Sequence, residues 1–133
     1  MQLKSSELAT PPKVALLTRD LMVRARVEAA LGTTVEHLQL LADGELPEGL
    51  DLLLLDLNRD APERLAWLEH IGPTGRAADV ICFGRHTEMA ELNPRARAAG
   101  AVRCVANSHL PETLRRWLRS RREASSPPMR GTP

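Results

Sequence analysis

Asp56 is the side chain best placed for chemistry in this sequence. It closes the apolar part of the stretch L-D-L-L-L-L-D-L-N-R-D-A-P, residues 50–62, where Leu52 to Leu55 run unbroken between Asp51 and Asp56. A short apolar run between turn signals reads as a strand buried on both faces. A carboxylate at the end of such a strand stands where open α/β sheets place their sites. It can equally do no more than cap the loop backbone that follows. A second group, Gly84-Arg85-His86-Thr87, offers a tight loop with Arg85 and His86 as contacts for an anion or a partner carboxylate. A turn followed by a helix cap is the simpler reading. His86 has no Ser, Cys or Asp partner in a catalytic motif, so nucleophilic catalysis has no support. His37, His70, His86 and His109 are scattered, with no Cys-x-x-Cys or His-x-x-x-His spacing and no Gly-rich phosphate loop. These patterns imply neither a metal nor a cofactor.

The elements that must position these residues alternate. Residues 1–12 are polar, end in Pro11-Pro12 and read as a flexible leader. Val14 to Leu17 is the first strand. Asp20 caps a helix through Leu31 whose stripe is Val23, Val27, Ala30 and Leu31, and Gly32 stops it. Thr34 to Leu40 is the second strand. Residues 41–49 hold too much Gly and Pro for more than a turn or two of helix. The central strand follows at 51–56. Asp60 and Pro62 open a helix through His70, with Gly72 after it. Asp79 to Phe83 is the fourth strand. Thr87 caps a helix reaching Ala99, with a break expected at Asn93 because Pro94 follows. Gly100 precedes the fifth strand, Ala101 to Ala106. A last helix runs from about His109 to Arg122, with Leu110, Leu114, Trp117 and Leu118 facing inward. Residues 123–133 read as a disordered tail. The domain therefore spans 13–122. Alternation of this kind predicts a five-stranded parallel sheet with helices on both faces, in the flavodoxin-like order 2-1-3-4-5 with the second helix truncated.

Composition removes several function classes. The chain has 133 residues, enough for one core, and a net charge of +1, so no overall charge draws it to nucleic acid or a membrane. Aromatics are only Phe83, Trp67 and Trp117, too few for a base-stacking platform. Arg115, Arg116, Arg119, Arg121 and Arg122 read as the solvated face of an end helix rather than as phosphate contacts. Cys82 and Cys104 fall inside predicted strands and read as buried apolar residues of a reducing compartment. No signal peptide or membrane span is apparent, so a cytoplasmic protein is expected.

D-L-L-L-L-D-L-N-R-D resembles the motif around the phospho-accepting aspartate of the receiver domain of bacterial response regulators. A-G-A-V-R-C-V-A-N-S, followed by L-P-E-T-L, resembles that domain's fifth strand and the start of its last helix. The resemblance spans roughly Lys13 to Arg121. It implies the fold above and a role in signal transduction. It also implies four chemical parts beside the aspartate, and here each is replaced. The acidic pair that holds Mg²⁺ falls on Thr18 and Arg19. The hydroxyl position falls on Gly84, or on Arg85 when counted back from Gly100. The lysine position falls on Asn107 and the aromatic switch on Cys104. Asp56 remains, with Asn58 two residues on.

A lone carboxylate is a poor magnesium site, and Arg19 would add positive charge where the metal lies. The expectation is therefore a pseudo-receiver, a non-catalytic protein-interaction module that does not switch by phosphorylation. Arg19 is expected to pair with Asp56 and hold one state. Asp56 as a plain strand-end cap and Asp56 as a live phosphoacceptor are the other readings. A small flavodoxin-like enzyme or anion-binding protein using Arg85 and His86 is the alternative of another class. The resemblance implies a partner face, including homodimerisation, on the fourth helix, fifth strand and last helix, around residues 87–118. The upper edge near Arg19, Asp56 and Arg85 is another candidate. Loss of the second helix predicts an exposed apolar patch near strands two and three unless Leu46 and Leu50 cover it.

Overall fold

The elements run β1 (Val14–Leu17), α1 (Leu21–Leu31), β2 (Leu38–Leu40), β3 (Leu52–Asp56), α2 (Ala61–Gly75), β4 (Asp79–Gly84), α3 (Met89–Ala98), β5 (Arg103–Ala106) and α4 (Leu110–Ser125). Short 3-10 turns, His86–Glu88 and Asn107–His109, lead into α3 and α4. The computed structural model describes residues 12–32, 38–40, 48–75 and 78–125. All strand pairs are parallel, in the order β2-β1-β3-β4-β5.

The uninterrupted leucines make β3 the middle of the sheet because none of them can face water. Leu52 to Leu55 are at most 1% exposed, and each contributes about 1.5–3 kcal/mol relative to an exposed leucine. Their alternation divides the core in two. Leu53 and Leu55 lie with Ala15, Leu17 and Cys82 under α2 and α3, which supply Leu65, Leu68, Leu92 and Ala96. Leu52 and Leu54 lie with Val14, Leu16 and Phe83 under α1 and α4, which supply Val27, Leu31, Leu110 and Leu114. The expected cap and stop of α1 are present. The Asp20 carboxylate accepts from the Met22 N–H at 2.8 Å, and Gly32 is left-handed at φ 62°.

α4 is clamped at the opposite end of the sheet from Asp56. The Trp117 indole N–H donates to Asp79 at 2.8 Å, and Arg121 pairs with Asp51 at 3.2 Å. Arg115, Arg116 and Arg119 gather around Glu112 on the exposed surface, as expected for a solvated face.

Several boundaries differ from the sequence expectation. α2 runs to Gly75 instead of ending at His70. α3 continues through Pro94 without a break. An interior proline costs about 3 kcal/mol in a free helix, through the lost hydrogen bond and the clash of its ring with the preceding turn, but Leu92 and Ala96 are buried on either side and hold the turn onto the sheet. Asn93 therefore lies inside the helix, and its side-chain amide donates to the Cys104 carbonyl at 3.1 Å. α4 reaches Ser125, three residues into the expected tail. The fifth strand is shorter, starting at Arg103. The expected leader (except Pro12, which is buried), most of the second-strand extension, residues 41–47 of the truncated-helix region with Leu46, and residues 126–133 lie outside the described residues. Leu50 is buried in the core. The exposed large apolar residues among those described are Leu21, Met22 and Val102, none of them on β3.

Cys82 and Cys104 sit side by side in the β4–β5 register and are both buried. Burial raises both thiol pKa values, and Cys82 is raised further by its neighbour. The thiolate is the reactive form, so a raised pKa and burial both slow reaction. At pH 8 a thiol reagent should modify the folded protein about a hundredfold or more slowly than the urea-unfolded chain. Equal rates would place the thiols elsewhere. The neutral thiols favour folding fully below the unfolded value of about 8.5, and that contribution declines as pH rises above it.

Candidate functional site

Strand order reverses between β1 and β3, since β1 turns outward to β2 while β3 leads to β4. The crevice at the carboxyl ends of those two strands is where such sheets bind ligands. β3 delivers Asp56 to it, 5% exposed. Register then selects its neighbour. Leu17 pairs with Leu55, so the next step up sets Thr18 beside Asp56.

Both oxygens of the carboxylate accept hydrogen bonds from neutral donors. The Thr18 hydroxyl donates to Oδ2 at 2.6 Å. The Asn58 backbone N–H and side-chain amide donate to Oδ1 at 2.8 and 2.7 Å. Outward from this centre, the Asp20 N–H donates to the Thr18 hydroxyl oxygen at 3.1 Å. Asn58 and Asn107 exchange amide hydrogen bonds at 3.1 and 2.9 Å. A chain of hydrogen bonds thus ties the ends of β1, β3 and β5 together.

Arg64, on the first turns of α2, completes the support. It is only 8% exposed. Its guanidinium donates to the Asp56 carbonyl and, at 3.4 Å, to the Leu17 carbonyl. These are carbonyls at the ends of adjacent strands, where the ladder has no further donor. Arg64 was not among the residues expected from sequence. Its signal was present nonetheless: it falls on the inward stripe with Ala61, Leu65 and Leu68.

The expected Arg19–Asp56 ion pair is not formed. Arg19 is exposed and makes no ion pair among the described residues. Thr18 occupies the position beside the carboxylate, and the chain bends away at Arg19 before α1 begins. Gly84 ends β4 in a buried position, where a Cβ would lie 3.3 Å from the Met89 methyl and 3.5 Å from the Leu57 Cβ. Arg85 and His86 are exposed and take no part in the network around Asp56; Arg85 lies 3.8 Å from Glu88. Of the expected residues, therefore, Thr18, Asp56, Asn58 and Asn107 come together, while Arg19, Arg85 and His86 do not join them.

Magnesium does not fit this donor set. A hard cation needs several oxygen ligands, and the oxygens of Asp56 already receive hydrogens from Thr18 and Asn58. Asp20, the acid nearest Thr18 in sequence, caps α1. Among the described residues no three His, Cys, Asp or Glu gather to hold a metal ion.

Neither a family model nor a curated protein matches the sequence. The fold does match solved structures. A response regulator from Thermotoga maritima is 16% identical with a TM-score of 0.62, covering 84% of this chain and 97% of its own. A response regulator receiver protein from Pseudoalteromonas atlantica is 13% identical with a TM-score of 0.68, covering 86% and 100%. The receiver domain of NtrX from Brucella abortus is 16% identical with a TM-score of 0.64, covering 85% and 99%. At such identities what is shared is architecture, and the chain has the fold of a response-regulator receiver domain.

Proposed function

We propose that the protein is a receiver-like signalling module that acts by binding another protein, independently of phosphorylation at Asp56. The observation that carries this reading is the engagement of both Asp56 carboxylate oxygens by Thr18 and Asn58. Phosphoryl transfer to a carboxylate needs a free oxygen and a cation to offset the incoming charge. Here both oxygens accept hydrogen bonds, and Asn107, at the position matching the receiver lysine, spends its amide on Asn58. Cys104, at the position of the aromatic switch, is buried 4.0 Å from the Met89 sulfur, so no ring is available there to swing between states. The reading assigns no catalytic group and no cofactor. It places the module in the cytoplasm, where its two free thiols stay reduced. No helix among the described residues is long and apolar enough to cross a membrane.

The partner face on this reading is the edge formed by α3, β5 and α4. It exposes Val102, 47% accessible, and carries Arg97, Arg103 and Arg116 beside Glu112. Because this face holds both signs, a second copy of the chain is the first partner to test.

The test is an NMR titration with Mg²⁺ and beryllofluoride. The amides of Asn58 and Asn107 should show no saturable shift. Saturable shifts centred there would overturn the reading and favour a regulator phosphorylated on Asp56.

A further inference from the structure

We propose that a cleft between α1 and the start of α4 binds a small organic anion with an apolar body. The cleft has a volume of about 270 Å³, near the lower end of the roughly 300–1,000 Å³ typical of ligand pockets. It adjoins the Asp56 network and shares Asn58 and Asn107 with it, while the Asp56 carboxylate itself does not line it.

Three arginines from three separate segments meet at this cleft: Arg26 on α1, Arg59 after β3 and Arg85 after β4. Neither Arg26 nor Arg59 makes an ion pair among the described residues, and Arg85 has only the exposed contact with Glu88 at 3.8 Å. Asp20 is the one carboxylate in the lining, and it already accepts from the Met22 N–H. Elsewhere on the molecule arginines gather around an acid, as three do around Glu112. Here three cations face one occupied carboxylate, an arrangement that favours an incoming anion. Guanidinium forks suit carboxylate and phosphate oxygens alike.

Two further features shape the ligand. Val23 and Pro111, both partly exposed, supply apolar wall with the buried Leu110 behind them, which rewards an apolar body more than a bare ion. Asn107 also lines the cleft, is only partly buried, and among the described residues its amide nitrogen has one acceptor, Asn58. His86 does not line the site. The ligand class is thus an amphipathic carboxylate or phosphate monoester about the size of a substituted benzoate.

The inference rests on the arginines of the cleft and requires no modification of Asp56; because Asn58 and Asn107 also report on Asp56, shifts at Leu110 and the arginine variants tell the two sites apart. Its test is an NMR titration of the full chain with benzoate, phenyl phosphate, inorganic phosphate and benzyl alcohol. Benzoate or phenyl phosphate should give saturable shifts at Asn58, Asn107 and Leu110, and none at Val102 or Trp117. The better of the two identifies the head group. Arg26→Gln, Arg59→Gln and Arg85→Gln, all at exposed positions, should each weaken binding about tenfold. Benzyl alcohol binding as well as benzoate would overturn the proposal, as would inorganic phosphate matching phenyl phosphate. Arginine variants with unchanged affinity would overturn it as well.

Discussion

Arg64→Ala unfolds about 10–15 °C below the parent protein, a loss on the order of 3 kcal/mol. The guanidinium is buried and bridges the last carbonyls of β1 and β3. Hydrogen bonds from a charged donor are worth about 1.5–3 kcal/mol each, and rehydration of carbonyls at the sheet edge recovers part of that. The aliphatic stem also packs, so alanine removes two contributions at once. Arg64→Met separates them, since it keeps the stem and deletes the donors. Thermal melts should place methionine between alanine and the parent. If methionine melts with the parent, the guanidinium contributes nothing and the bridging role fails.

The second large effect is at Asp56, and its sign is informative. Asp56→Ala leaves the Thr18 hydroxyl and both Asn58 donors without their acceptor. Stranded buried donors cost about 1–3 kcal/mol each, less where water enters, so a total of about 2–4 kcal/mol is expected. Asp56→Asn keeps the shape and one oxygen acceptor, and should lose about 1 kcal/mol. In a site where several carboxylates crowd together, neutralising one relieves repulsion and stabilises the fold. Here the carboxylate is surrounded by donors, so neutralising it destabilises. Urea unfolding of the three proteins gives the order parent, Asn, Ala from most to least stable. An asparagine variant more stable than the parent would contradict the donor-only environment. Under the proposed function, Asp56→Asn also leaves partner binding unchanged.

Much of this architecture can be read locally because it follows from periodicity and capping. Unbroken leucines at 52–55 between turn signals read as a strand covered on both faces, and they form one. Asp20 and Gly32 bound α1 through interactions spanning at most a turn. Alternating strands and helices, with right-handed crossovers, leave few sheet orders. The position of Asp56 at the end of the central strand follows from these elements together.

The rest depends on which distant segments meet. Whether Thr18 or Arg19 faces Asp56 is a matter of one residue in strand register, decided by pairing across 38 positions. Charge attraction suggests the arginine; geometry delivers the hydroxyl. Asn58 finds Asn107 across 49 positions because β5 ends beside β3's loop, on the far side of β4. Pro94 stays helical because Leu92 and Ala96 are buried on either side of it. Arg64 turns inward because strand-end carbonyls wait there for a donor. The sequence by itself determined where the carboxylate stands, since hydrophobic period and chain order act locally. Only the tertiary structure decided what surrounds it, since hydrogen-bond partners depend on register between strands far apart in the chain.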